Sequence, residues 1–316
     1  MQFTTKIPIT KSDHPVDYSS KILLLGSCFS ENIGAKFAYY KFQATSNPFG
    51  IIFNPFSIDK IISRIVNKNF FTEKDIFFHN ERWHCFEVHS EWSNENKKAF
   101  IQNLNEILSL THSQISALTH CIITYGTSWV YRLKSSNEVV ANCHKMSQSQ
   151  FDKEILSVEV IEKSIKNTVD LIRKINPNCH VMFTVSPVRH LKDGFVENQQ
   201  SKAHLLTAIH ATHNSQFITH NYFPSYEIMM DELRDYRFYA EDMLHPNQVA
   251  IDYIWQRFCE STIAEASYNT METVAAIQKG WAHRPFNPNS ERHQQFLDTL
   301  HQKIVQLQEE YPFIKF

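Results

Sequence analysis

Two short stretches, far apart in the chain, carry residue types that can do chemistry together. Leu25-Gly26-Ser27-Cys28-Phe29 closes the apolar run Ile22-Leu23-Leu24-Leu25 and opens a helical segment over residues 30–40. A glycine there lets the chain turn. A hydroxyl or thiol left at the start of the helix then meets unpaired backbone N–H groups and the positive end of the helix dipole. Such a group can attack a carbonyl carbon while the N–H groups shelter the oxyanion that forms. The complement lies late in the chain, in Asp242-Met243-Leu244-His245-Pro246. Histidine takes up and returns a proton near neutral pH, and an aspartate three residues earlier in a turn can accept one ring N–H and fix the tautomer.

Other polar residues sort less cleanly. His84, His89 and Cys143-His144 lack the close-pair spacing of zinc ligands, so no metal is expected. His89, Asn142 and His144 are expected to contact substrate. Arg189-His190 follows a strand and Ser186-Pro187, which puts it on the edge of the site. There Arg189 either grips a carboxylate or phosphate with two bonds or forms a structural ion pair.

The elements that must position these groups alternate. Strands are expected over 21–27, 121–125, 179–185 and 217–222. Helices are expected over 30–40, from a cap at Asn54 or Ser57 to 66, and over 96–110, 157–174, 199–212 and 247–263. The last of these is entered through Pro246 at its first position. Residues 70–93 read as irregular, with a small hairpin. Apolar strands separated by helices are the sequence form of a parallel sheet covered on both faces, with ligands outside the carboxyl ends of its strands. The junctions at Gly26, Gly126, Ser186 and Tyr222 should therefore converge on one edge. From about residue 267 the strands stop, and helices over 272–279 and 290–310 follow. The expected division is an α/β domain, 1–265, and a helical extension, 266–316.

Composition narrows the class. The 316 residues carry a net charge of −2, which offers no electrostatic reason to expect nucleic acid or an anionic membrane as partner. No signal-like apolar segment follows the N-terminus, and no run approaches the ~18 apolar residues of a membrane span. The six cysteines are scattered without CxxC pairs, as expected of reduced thiols in a cytoplasmic protein. Three of the six glycines, Gly26, Gly50 and Gly126, fall inside the motifs discussed here.

Strand-Gly-Ser-Cys at one end and Asp-x-x-His-Pro at the other resemble the SGNH (GDSL-type) hydrolase superfamily. Gly26-Ser27-Cys28-Phe29-Ser30 resembles more closely the signature of the GSCFA family, an SGNH-like family named after that motif. The resemblance extends through Asn47-Pro48-Phe49-Gly50, Tyr125-Gly126-Thr127-Ser128-Trp129-Val130-Tyr131, Val140-Ala141-Asn142-Cys143-His144-Lys145, Ser186-Pro187-Val188-Arg189-His190 and Asp242–Pro246. It implies a three-layer α/β sandwich with a mostly parallel, SGNH/flavodoxin-like sheet. It also implies a cofactor-independent esterase acting on a carbohydrate or small-metabolite ester. An acyltransferase using the same nucleophile, or a non-catalytic binding protein on the same fold, is the alternative.

Aligning Gly-Asp-Ser on Gly26-Ser27-Cys28 puts Cys28 in the nucleophile slot, and a slip of one residue restores Ser27. Cys28 is favoured, because a thiol at a helix N-terminus beside a histidine tends toward the thiolate. Gly126-Thr127-Ser128-Trp129 stands where the superfamily has Gly-x-Asn-Asp, so the oxyanion asparagine is missing. Ser128, Asn47 or Asn142 is expected to replace it beside the Gly50 backbone N–H, and Trp129 to line the substrate site.

Overall fold

In the computed structural model, which describes residues 4–213 and 220–316, the chain builds a five-stranded, wholly parallel sheet. Its strands are β1 (Lys21–Gly26), β2 (Gln43–Ser46), β5 (His120–Tyr125), β9 (His180–Val185) and β10 (Asn221–Phe223), in the order β10-β9-β5-β1-β2. Counted along the chain among themselves, these strands run 2-1-3-4-5. That is the flavodoxin-like doubly wound order, whose direction reverses between its first and third strands, here β1 and β5. The part of the expected last strand over 217–219 lies outside the described residues.

The three central strands are buried on both faces, and their alternate side chains divide the core in two. Leu23, Leu25, Cys121, Ile123, Tyr125, Val181, Phe183 and Val185 face one cluster. That side is covered by α2 (Pro55–Val66), α3 (Lys97–Ile115), α4 (Val158–Ile175) and α5 (Phe195–His213). Ile22, Leu24, Ile122 and Met182 face the other cluster. Its cover is α1 (Cys28–Tyr39), α7 (Gln248–Thr262), α8 (Tyr268–Ala282) and α9 (Glu291–Glu310). The result is a three-layer sandwich, with the C-terminal helices contributing Val274, Ile277, Leu300 and Ile304 to the second cluster. In α4, Ile161, Ile165, Val169 and Ile172 recur at helical spacing and are all buried.

Caps account for most of the boundaries. Asn54 accepts from Ser57 N at 2.8 Å, and Pro55 occupies the first position of α2. Two corrections bear on the site. The first helix starts at Cys28, two residues earlier than expected, because Ser27 caps it. Pro246 lies outside α7, whose cap is Asn247 accepting from Ala250 N, and it instead bridges to Tyr239.

Two small sheets decorate the frame. The expected hairpin is β3 (Phe77–His79) with β4 (Arg82–His84). An antiparallel sheet of β6 (Trp129–Leu133), β7 (Glu138–Val140) and β8 (Phe151–Ile155) follows β5, in the order β7-β6-β8, and the sequence reading had no element there.

Candidate functional site

The carboxyl ends of β1, β5 and β9 lie side by side on one edge, with strand order reversing between β1 and β5, and the turns at Gly26, Gly126 and Ser186 follow them. Gly26 has φ +133°, and a Cβ on it would lie 2.1 Å from Thr124 O, so only glycine lets the two strands run side by side into the turn. Ser27 N donates to Thr124 O at 3.0 Å, and Ser27 Oγ caps the helix by accepting from Phe29 N at 3.3 Å. Ser27 is thus buried and its hydroxyl engaged, whereas the neighbouring Cys28 is half-buried in the first turn of α1.

The Cys28 thiol is not depressed. Burial pushes it above its ordinary value of 9.0, and Glu31 adds to that. Lys202 and the first-turn N–H groups of Cys28 and Phe29 pull the other way and are outweighed. The thiolate expected from the helix N-terminus alone is therefore not the resting form. A base must take its proton.

The loop after β2 crosses this edge. Asn47, at φ 42°, accepts from Gly26 N through Oδ1 at 2.8 Å and donates from Nδ2 to Glu31 Oε1 at 3.4 Å, which ties it to the Cys28 turn. Ile52 N donates to Gly26 O at 3.1 Å and Gly126 N to Phe53 O at 2.7 Å. Two expected oxyanion donors are already committed. The Gly50 N–H donates to Asn47 O at 2.7 Å. Ser128 is fully buried, its N–H donating to Ser201 Oγ at 2.8 Å and its hydroxyl to Ser201 O at 3.2 Å.

Asp242 and His245 form a close pair. Oδ2 meets His245 Nδ1 at 2.6 Å, while Oδ1 accepts from Leu244 N at 2.9 Å and His245 N at 3.0 Å. These bonds, the backbone ones first, hold the exposed carboxylate down at about 2. It stays ionised, so the ring proton sits on Nδ1 and Nε2 is left as acceptor. Met243, at φ 58°, supplies the left-handed residue that closes the turn.

Arg189 fastens this turn to the sheet. Its N–H donates to Leu244 O at 3.1 Å and its guanidinium to Met243 O at 3.2 Å, among the rings of Phe195, Tyr236 and Tyr239. The guanidinium, expected either to grip a substrate anion or to form a structural ion pair, bonds the backbone of the histidine loop here.

His190 connects the two turns. Its backbone N–H is taken by Asn198 Oδ1 at 2.9 Å, and its buried Nε2 has no partner among the described residues. A Cβ on Gly126 would come within 3.2 Å of that nitrogen, so the ring abuts the end of β5. Burial first, then the charges of Lys202 and His245, push His190 down to about 3. Lys202, which the sequence reading passed over, is fully buried and acts on both Cys28 and His190. Lys202 is thus within electrostatic reach of Cys28 and of His190, and His190 of His245. Among the described residues no hydrogen bond joins Cys28 to His245.

The remaining expected contacts lie in packed surroundings. His144 is buried, with Nδ1 on Ser90 Oγ at 3.0 Å and Nε2 on Cys85 O at 2.7 Å, and burial pushes it down to about 4. Asn142 Oδ1 accepts from Ser90 Oγ and His144 N. His89 caps the turn that begins at Ser90, and Trp129 donates from its indole to Glu197 O at 3.2 Å. Among the described residues no group of three or more His, Cys, Asp or Glu is placed to hold a metal ion. None of their helices is long and apolar enough to cross a membrane.

The GSCFA family model matches residues 21–258, a span that includes both the Cys28 turn and the Asp242–His245 turn. The chain belongs to the GSCFA family. A second model, the GSCFA domain protein C-terminal domain, matches residues 274–316 and so takes in α9. A search of curated proteins gives no match. In this GSCFA protein the signature glycine, serine and cysteine have three separate physical jobs: a close strand approach, a helix cap, and a half-buried thiol at the first position of α1.

Proposed function

We propose that this GSCFA protein is an acyl-group enzyme of SGNH-like type, an esterase acting on a carbohydrate or small-metabolite ester. The observation that carries the reading is the Asp242–His245 pair, 2.6 Å apart with the carboxylate doubly held by backbone N–H groups. It is fastened to the loop after β9, on the carboxyl edge of the sheet where β1 also ends in the Cys28 turn.

In this mechanism His245 Nε2 takes the Cys28 proton as Sγ attacks the ester carbonyl, and Asp242 stabilises the imidazolium. The tetrahedral oxyanion rests on the Cys28 N–H and the Asn47 amide. Collapse breaks the ester C–O bond. The His245 proton goes to the leaving alcoholate and a thioester remains on Cys28. Water attacks the thioester with His245 again as base, giving the acid and free thiol. An alcohol in place of water makes the protein an acyltransferase.

A binding role without turnover is the second reading, favoured by the committed Gly50 and Ser128 donors and the raised Cys28 thiol. The deciding experiment is turnover of p-nitrophenyl acetate and acetylated sugars by wild type, Cys28→Ala, Ser27→Ala and His245→Ala. The esterase reading expects loss with Cys28→Ala and His245→Ala and retention with Ser27→Ala. Activity that survives Cys28→Ala but not Ser27→Ala makes this a serine enzyme. Absence of turnover, with acetylated sugars still bound, supports the second reading.

A further inference from the structure

The charge of this chain is not spread evenly. Over residues 276–297, where α8 ends, the chain turns and α9 begins, Lys279, Arg284 and Arg292 outnumber the one acid, Glu291, in a protein whose net charge is −2. Among the described residues none of these three cations has a carboxylate within ion-pair distance. Lys279 and Arg292 line one cleft of about 710 Å³ together with His283 and His293, and no acidic side chain lines it. The N-terminus of α9, capped by Ser290, opens onto the same cleft and adds the positive end of its dipole.

The floor of the cleft is apolar. Gly280 lets α9 pack directly on α8, since a Cβ there would lie 2.7 Å from Leu300 Cδ1 and 3.3 Å from Phe296 Cζ. Phe296 remains 39% exposed, with the rings of His283 and His293 at 6.0 and 6.1 Å. Phe286 is wholly exposed in the turn between the helices and lines the same cleft. That turn is tied by its own bonds, Asn287 O accepting from Ser290 N at 3.3 Å and from Ser290 Oγ at 3.0 Å. A phenyl ring held in water contributes nothing to the core. Unpaired cations around it call for an anionic partner with an apolar layer. An anionic bilayer accepts such a turn directly, the ring among acyl chains and the cations among phosphates. An acidic protein would have to supply a matching pocket and about 800 Å² of complementary surface.

We propose that the turn between α8 and α9 docks this protein peripherally on a membrane surface rich in anionic phospholipid, Phe286 entering the acyl boundary and Lys279, Arg284 and Arg292 taking the phosphates. No membrane span is involved. The proposal is independent of the acyl-group reading, since no residue of the Cys28 turn or the Asp242–His245 turn lines this cleft.

Co-sedimentation of the full chain with vesicles tests it, using phosphatidylcholine alone and phosphatidylcholine mixed with phosphatidylglycerol. The expected result is binding to the mixed vesicles only, weakening as salt rises. Lys279→Gln, Arg284→Gln and Arg292→Gln should each lower the partition coefficient about fivefold. Phe286→Ser should lower it about tenfold. All four side chains are exposed, so circular dichroism should match wild type. Val305→Ser, in the neighbouring groove that also holds Asp298, is the control and should bind like wild type. An equal loss in Val305→Ser overturns the proposal, as does binding that neither the charge variants nor Phe286→Ser alter. Equal binding to phosphatidylcholine alone, or no binding to either vesicle, overturns it too. Immobilised polyglutamate separates an acidic protein from a lipid surface. Retention there as tight as on the mixed vesicles, and unchanged in Phe286→Ser, assigns the patch to an acidic partner and overturns the lipid proposal.

Discussion

Around the β3–β4 hairpin, His84 and His144 are buried with both ring nitrogens occupied, by Ser93 Oγ and His79 O in one and by Ser90 Oγ and Cys85 O in the other. At the carboxyl edge of the parallel sheet, His245 is exposed, with Nδ1 on Asp242 and no bond to Nε2 among the described residues. Burial makes the first pair neutral scaffolding, since a protonated ring there would be desolvated and would lose an accepted bond. The second keeps a free acceptor, and a carboxylate that stays charged orients it. Proton transfer needs spare hydrogen-bonding capacity, and a histidine's sequence neighbours do not reveal it.

Substitution at the two places gives the sharpest contrast. His245→Ala should lower ester turnover by about 10²–10⁴-fold, the range for loss of a positioned general base, with little change in melting temperature. His144→Ala should spare turnover and cost about 1–3 kcal/mol of stability by stranding the Cys85 carbonyl. Paired kcat/KM and urea-melt measurements check both, and an inactive but stable His144→Ala would break the comparison.

Asp242→Asn should cut kcat by about 10²-fold or more, because the amide no longer holds the Nδ1–H tautomer. Carboxyl NMR adds a finer point. Backbone N–H groups outweigh the His245 ring in holding Asp242 at about 2, so His245→Ala should leave its midpoint below 3.8. A midpoint at or above that value would show that the ring, not the turn, sets the charge.

The buried histidines also predict the acid response. His144, pushed down to about 4, is neutral when folded, whereas the unfolded ring titrates near ~6.5. The unfolded chain therefore binds the extra proton as pH falls from about 6.5 to about 4, and stability declines across that window and is full above it. His220, also near 4, and His190, near 3, act in the same sense. His144→Gln should flatten part of the decline in a series of thermal melts, and an unchanged slope would mean that the ring is not buried neutral.

The smallest effect belongs to the signature serine. Ser27→Ala should cost about 1 kcal/mol through loss of the α1 cap and leave alkylation of Cys28 within about twofold of wild type. A collapse of Cys28 reactivity would mean that the cap also aims the thiol.

The sequence by itself determined the elements whose causes are local. The stripe of α4, the Asn54 cap and the apolar run of β1 are set by spacing within a few residues, so hydrophobic periodicity and cap chemistry reveal them. The Asp242–His245 contact is equally local, closed by a turn three residues long. The tertiary structure alone decided what each polar group has left to offer. The Ser128 N–H and hydroxyl are committed to a partner that no spacing rule names, Ser201 standing 73 residues away, whereas the Gly50 N–H closes a local turn onto Asn47 O. The inserted β6–β8 sheet is short and half-exposed, without a strong alternating pattern. Lys202 reads as an ordinary helix lysine until two carbonyls, 76 and 16 residues away, close around it. The same long-range burial reverses the expectation for Cys28. The helix N-terminus is visible in the sequence, but the desolvation that outweighs it depends on what packs above the turn.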